Sequence, residues 1–345
     1  MKQQKLEKLK EYKKSGNTFC PAIFLHRFVD TDKTSKLCCL DLNSLDNRLL
    51  DYNDPLYKQA RHKSLNNEKI DQCHKCYESE SQGIISLRQR SIEDIIVNNR
   101  EDILFDNVEK FENGRDILPL WHDLRISNNC NLKCIMCGPQ YSSTWADEEG
   151  IANKHLSFDA DIEISPNTYK MQLAGGEPFM IKKFVGLLER IENTDCEVTV
   201  NTNATIVTRG LLDQLKRFKN TLIILSLDGY GELNEQIREK SKWKEIDKNI
   251  KIFQDNGFNL LVNTVVQRDN VNKLSKLGEY LESVNIDDWM LSRLFNPEHL
   301  RWEKQTSIDY DDVEKTLSMY AIQRNEISVT TLETILSTRN NNEKT

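Results

Sequence analysis

Residues 127–140 read SNNCNLKCIMCGPQ, and set three cysteines, Cys130, Cys134 and Cys137, four and then three positions apart. Those offsets would suit one face of a helix. Asn128 and Asn129 break a helix before the trio, however, and Gly138-Pro139 break one after it. What remains is a loop presenting three thiols, soft ligands suited to a metal or an iron–sulfur cluster. Structural zinc wants a fourth ligand, and no Cys or His follows at a suitable local spacing. Three ligands on a four-iron cluster leave one iron open to another molecule.

The trio directly follows the first of six strand-like runs, at 121–127, 169–174, 197–202, 221–227, 260–266 and 289–295. Helical patterns separate these runs at 142–155, 181–192, 208–218, 242–255 and 273–283. Six strands alternating with five helices imply parallel pairing with right-handed crossovers. The expected fold class is α/β, a partial (β/α)6 barrel of parallel strands over residues 119–296. Loops at the C-terminal ends of such strands are available for chemistry. Residues 1–118 form a smaller, irregular, metal-binding domain in this reading. Residues 297–345 form a helical extension, with its helix at 310–322, and a polar tail.

The N-terminal region has a different texture. Its charged start, MKQQKLEKLKEYKKSG, carries Leu6 and Leu9 and predicts a short solvated helix at 3–14. An apolar run at 22–29 leads through DTDKTS to 36–40, a predicted β-hairpin closing on Cys38 and Cys39. A helix is expected at 55–65 and another from about Ile92, with Cys73 and Cys76 between them. The start lacks the apolar core of a secretory signal. Nine cysteines in such a chain point to metal or redox chemistry in the reducing cytoplasm, not to a disulfide framework.

Composition removes several other classes. With 47 basic and 54 acidic residues the net charge is −7, which gives no electrostatic reason for general nucleic-acid binding. The 12 Phe, 10 Tyr and 5 Trp are too many for a disordered chain. The longest apolar stretch, 222–227 with a serine inside it, is far too short to span a bilayer.

The CxxxCxxC loop after a first strand resembles the signature of the radical S-adenosylmethionine (SAM) superfamily. Further features follow in order at strand ends. LAGGEP, with Gly175, Gly176 and Glu177, is similar to the family's glycine-rich SAM-binding motif. TNAT, with Asn203, resembles the family's TNG; SLDG, with Ser226, ends the fourth strand, and Arg238 follows in NEQIR. The resemblance covers about residues 120–295 and implies a [4Fe-4S] cluster on Cys130, Cys134 and Cys137 that binds SAM. It implies that Glu177 receives the methionine ammonium, Asn203 and Ser226 meet the ribose, and Arg238 grips the methionine carboxylate. Chemistry supports each role: Glu177 accepts charged hydrogen bonds, short polar groups meet hydroxyls, and Arg offers a bidentate fork. Val265, late in the fifth strand, is assigned by position to the adenine. Two positions depart from the pattern. Met136 stands where the family has an aromatic, and Ala204 where TNG has glycine.

The N-terminal pattern FCPAIFLHRF, KLCCL and CHKCYESESQGIISLR resembles the auxiliary-cluster modules called SPASM or twitch, carried first instead of last. The resemblance implies a second iron–sulfur cluster on Cys20, one of Cys38 or Cys39, Cys73 and Cys76. Four cysteines with a Cys-x-x-Cys pair also suit structural zinc. Adjacent Cys38 and Cys39 face opposite ways in a strand, so one of them suffices. His26 and His74 are reserve ligands, Cys196 reads as an inert thiol, and Glu80, Ser86 and Arg88 occupy positions familiar from that subgroup.

The expected function is that of a radical SAM oxidoreductase. Reductive cleavage of SAM yields a 5′-deoxyadenosyl radical, which abstracts hydrogen from a substrate. Twitch-type resemblance implies a peptide or protein substrate and an electron donor such as flavodoxin or ferredoxin. No nucleic-acid or membrane partner is expected. The alternatives are a radical SAM enzyme acting on a sugar, nucleotide or other small molecule, and a non-catalytic Fe–S or zinc binding protein.

Overall fold

The computed structural model describes residues 2–41, 44–151, 162–267, 269–286 and 288–293. The extension expected at 297–345, including its helix at 310–322, lies outside them, as does the last part of the helix expected at 142–155. By mutual contact the described residues fall into two units. One comprises 2–124 with 162–171 and 190–196; the other comprises 125–151, 172–189 and the described part of 197–293.

In the first unit, helix Lys2–Lys13 forms where the charged start predicts one, but it is not merely solvated. Leu9 is fully buried in a core with Phe19, Phe24, Ile92, Ile95, Leu104 and Phe111. Burial of that one leucine is worth about 1.5–3 kcal/mol, and the helix is further tied down by partly buried Tyr12 and by Lys5–Asp102 and Lys13–Glu93 ion pairs. Cys20-Pro21 changes the next expectation. Pro21, at φ −58°, starts a single helical turn, Ala22–Leu25, before the chain extends into β1 (His26–Val29). The hairpin is therefore short: β1 pairs antiparallel with β2 (Ser35–Lys36), Phe28 opposite Lys36. Helix Pro55–Leu65 matches its prediction, capped by Asp54, whose carboxylate accepts from Leu56 N at 2.9 Å. The helix expected from about Ile92 starts earlier, at Leu87, because Ser86 and Gln89 form a capping box. Separately from it runs helix Glu101–Glu112. The unit also contains β3 (Trp121–Leu124), which pairs in parallel with β1, His26 opposite Trp121.

The second unit begins with β4 (Lys133–Cys134), inside the cysteine loop. Strand β5 (Lys170–Leu173) has residues in both units. Then come β6 (Glu197–Thr202), β7 (Asn220–Ser226), β8 (Arg238–Glu239), β9 (Asn259–Val266) and β10 (Asp288–Arg293). Strands β6, β7, β9 and β10 pair in parallel in that order, with Thr202 opposite Leu225 and Ser226 opposite Asn263. Helices Lys183–Glu189, Arg209–Leu215, Trp243–Asp255 and Leu274–Ser283 alternate with the strands. The fold class is thus α/β with mostly parallel strands, and each of the six expected strands is present. Strand alternation explains where the site lies: Val198, Val200, Ile223 and Leu225 are buried, while Asn201 and Ser226 occupy the opposite, less buried face.

Candidate functional site

The cysteine trio is held by backbone bonds, not by regular structure. Ser142 caps helix Ser143–Glu148 and also donates through Oγ to Leu132 O at 2.6 Å. Thr144 Oγ1 donates to Cys130 O at 2.8 Å, and Trp145 Nε1 donates to Cys134 O at 2.8 Å. Asn128 Nδ2 donates to Pro139 O at 2.8 Å, closing the loop across its own ends. Strand β4 pairs antiparallel with β8, and sets Cys134 opposite Arg238.

The glycine turn after β5 meets this loop directly. Gly176 N donates to Ser127 O and Glu177 N to Asn129 O, both at 2.8 Å. A Cβ on Gly176 would lie 2.3 Å from Asn129 O, and Gly175, at φ +110°, would bring one within 2.7 Å of Ser127 O. The glycines therefore allow two backbones to touch, a role beyond the expected approach to a ligand. Glu177 also differs from expectation. Its carboxylate is buried and accepts from Thr202 Oγ1 at 2.7 Å, Asn203 N at 2.8 Å and Phe179 N at 3.1 Å. It ties the LAGGEP turn to the TNAT turn, so its oxygens already have chain partners. Burial outweighs those donors and pushes its carboxyl up to about 7. Ala204 adopts φ +58°, the left-handed conformation that glycine tolerates best.

A cavity of about 530 Å³ opens beside the trio, within the range of small-molecule sites. Cys130, Cys134, Cys137, Gly175, Gly176, Glu177, Asn203, Ser226 and Arg238 all line it, as does Met136. Nine of the sequence-selected residues are thus brought together. Val265 is not in the lining: its N–H donates to Asp228 Oδ1 at 2.7 Å and its carbonyl accepts from Asn270 Nδ2 at 2.9 Å. The structure does not bring it to the cavity. Arg238 forms a buried ion pair with Asp228 (2.7 Å) and donates from Nη1 to Cys134 Sγ at 3.8 Å, so it faces the cysteine as well as the cavity. The lining also includes Arg125, Tyr141 and Asn201, which the motif reading missed. Asn201 was detectable, since strand alternation places it on the same face as Thr199, away from the buried valines.

All three thiols sit where a bare thiolate is disfavoured. Burial, then the neighbouring Cys134, pushes Cys137 up to about 12 and raises Cys130 as well. Burial also raises Cys134, opposed by the Arg238 charge. A bound cluster would reverse that balance, because iron would place positive charge directly on each sulfur. Among the described residues no three His, Cys, Asp or Glu side chains close on one metal-ion position. A single zinc would demand such a point, with sulfurs about 2.3 Å from it. A four-iron cluster would need only one sulfur per iron, and Cys130, Cys134 and Cys137, which line one cavity, would hold it.

In the first unit Cys20, Cys38, Cys73 and Cys76 line one apolar hollow with Ile23, Leu37 and Leu87. Cys39 is exposed and outside it, so Cys38 is the member of the pair placed with the others. Burial, then Cys76, pushes Cys20 up to about 12; burial, then Cys20, raises Cys73. His26 packs on Trp121 with ring centroids 4.2 Å apart, and His74 Nδ1 contacts Asp71 O at 3.0 Å; neither lines the hollow. Glu80, Ser86 and Arg88 form one buried network. Arg88 donates to both Glu80 oxygens (2.8 and 2.6 Å) and to the carbonyls of Tyr12, Phe19 and Lys14, while Ser86 Oγ donates to Glu80 Oε1 at 2.5 Å. Cys196 is buried.

Residues 124–281 match the model of the Radical SAM superfamily. A tungsten-containing aldehyde ferredoxin oxidoreductase cofactor-modifying protein of Pyrococcus furiosus is 27% identical over 199 residues, 54% of each chain. GTP 3′,8-cyclase 1 of Mycobacterium tuberculosis is 27% identical over 195 residues, 53% of this chain and 54% of its own. The antilisterial bacteriocin subtilosin biosynthesis protein AlbA of Bacillus subtilis is 26% identical over 184 residues, 50% and 40% of the two chains. The solved structure of native anSMEcpe with bound AdoMet is 19% identical and covers 58% of this chain and 59% of that one, with a TM-score of 0.46. The chain spans about half the length of the curated relatives it matches. No described helix is long and apolar enough to cross a membrane.

Proposed function

We propose that this chain, which carries a radical SAM superfamily domain over residues 124–281, is an enzyme that reductively cleaves SAM at a [4Fe-4S] cluster held by Cys130, Cys134 and Cys137. The observation that carries the reading is the meeting of three thiols, a glycine turn and a buried arginine around one cavity of about 530 Å³. When bound, the two cofactors supply a 5′-deoxyadenosyl radical that takes hydrogen from a substrate. The chain's part is to hold and enclose. The loop fixes three sulfurs, Asn203 and Ser226 border the space for the nucleoside, and Met136 covers it with a thioether. Catalysis belongs to a module of residues 119–296 in this proposal.

We assign a second iron–sulfur cluster to Cys20, Cys38, Cys73 and Cys76 in a module of residues 1–118, because the four cysteines line one hollow; structural zinc is the alternative. The favoured substrate is a peptide or protein, supported by the subtilosin-biosynthesis relative. The GTP cyclase relative favours a second reading, a nucleotide or other small molecule. None of the nine cysteines is in a disulfide, which fits work in a reducing cytoplasm with flavodoxin or ferredoxin as electron donor.

The test is anaerobic purification, iron and sulfide quantitation, and assay of 5′-deoxyadenosine with a chemical reductant. The parent protein should form it, and Cys134→Ala should form none. Undiminished formation by the variant rejects the site. Incubation with peptides encoded beside the gene, against GTP and sugars, separates the two substrate readings.

A further inference from the structure

Arg238 is more firmly anchored than a ligand-gripping arginine needs to be. Its Nε pairs with Asp228 Oδ2 at 2.7 Å, and Asp228 is itself fixed on three sides. Asp228 Oδ1 accepts from Val265 N at 2.7 Å, Asp228 N donates to Asn234 Oδ1 at 2.9 Å, and Asp228 O accepts from Asn270 Nδ2 at 2.9 Å. Backbone pairing adds a further constraint, since the β4–β8 ladder sets Cys134 and Arg238 face to face. The outcome is an arginine, 8% exposed as a whole residue, with Nη1 at 3.8 Å from Cys134 Sγ. Two of its three nitrogens are therefore committed within the chain.

A fixed cation beside a cluster ligand has an electrical consequence. Reduction adds one negative charge, and a buried positive group with a hydrogen bond to sulfur stabilises the reduced form more than the oxidised one. Guanidinium is suited to this because it stays protonated at any working pH.

Resting on the cluster assignment above, we propose that Arg238 is a positioning residue for the Cys134 thiolate that raises the reduction potential of the cluster, and that Asp228 holds it in place.

The experiment is a redox titration of the anaerobically purified protein without SAM, followed by electron paramagnetic resonance, with iron counted on the same samples. Arg238→Met should retain the trio's iron and shift the midpoint to a more negative potential. Arg238→Lys should recover part of that shift, and Asp228→Asn, which removes a carboxylate charge that opposes the guanidinium, should move the midpoint the other way, to a potential above the parent's. Parental potentials in all three variants overturn the inference and leave Arg238 as a ligand contact only. If Arg238→Met fails to assemble a cluster, Arg238→Lys and Asp228→Asn decide by the same criterion. A parent without a reducible cluster overturns the functional reading instead, which keeps the two failures distinct.

Discussion

The same device occurs twice in this chain: a set of partly or fully buried cysteines beside an arginine pinned by a buried carboxylate. In the second unit the pair is Arg238–Asp228 at 2.7 Å, and in the first it is Arg88–Glu80 at 2.6 Å. The surroundings differ. Arg238 spends a donor on a cysteine sulfur and borders a cavity of about 530 Å³ whose lining mixes polar and apolar groups. Arg88 also borders its hollow, but it donates to Glu80 and to the carbonyls of Tyr12, Lys14 and Phe19, the last next to Cys20. Three sulfurs with room beside them suit a cluster that must bind a ligand. Four sulfurs around an apolar hollow suit one that is coordinatively closed. On the proposed reading, similar electrostatics would serve chemistry in one region and fastening in the other.

The most direct way to break this contrast is to remove one set of sulfurs. Cys73→Ala with Cys76→Ala should lower iron to about four per chain, the content of the trio's cluster. Formation of 5′-deoxyadenosine with a chemical reductant should persist. If the double variant keeps the parental iron content, the quartet holds no cluster. If it keeps iron but loses SAM cleavage, the division between an open and a closed centre is wrong.

Next in size is the fastening role of Arg88. Arg88→Met leaves Glu80 buried without its partner and strips donors from three backbone carbonyls. Breaking a buried pair from one side costs about 3–5 kcal/mol. A fall of that order in the denaturant-unfolding free energy is expected, with Glu80→Gln losing less because Ser86 and Arg88 can still bond its amide. A change below about 1 kcal/mol for Arg88→Met would remove the distinction between a fastening arginine and a tuning one.

Much of this was legible in the sequence, and the exceptions have a common cause. Strand β6 was read to the residue, and β7, β9 and helix Pro55–Leu65 to within a residue or so, because period, turn residues and caps are local signals. The trio and the turn residues were legible because each motif closes a strand. The glycine missing from TNG was also informative, since Ala204 does occupy the left-handed conformation that glycine would relax. What could not be read is pairing between distant residues. The parallel match of His26 with Trp121 depends on register across the first unit, and Arg238 meets Cys134 from 104 positions away. The three donors to Glu177 could not be read either, because they come from backbone and side chains that only the folded turns assemble. Cys38 and Cys39 are equivalent in sequence, and only burial separates them.

The smallest effect expected sharpens the comparison through pH. Glu177, in the second unit, is held at about 7 by burial, above its ordinary 4.5. Between those values the unfolded chain has released the proton and the native one has not, so this group makes stability fall as pH rises from about 4.5 to 7, at about 1.4 kcal/mol per unit. His122, in the first unit, has the opposite sign. Burial, then the Arg27 charge, lowers it from 6.5 to about 3. The unfolded chain then takes a proton that the native one refuses, so stability present above 6.5 is lost as pH falls toward 3. From about pH 4.5 to 6.5 the two slopes cancel in the parent. Glu177→Gln should uncover a stability that rises with pH across that window, and His122→Leu one that falls, each by roughly 3 kcal/mol in total. Unfolding midpoints in denaturant at half-unit pH steps read the difference between each variant and the parent. Difference profiles that are flat, or that slope the same way for both variants, would mean the two buried groups do not carry opposite proton linkage.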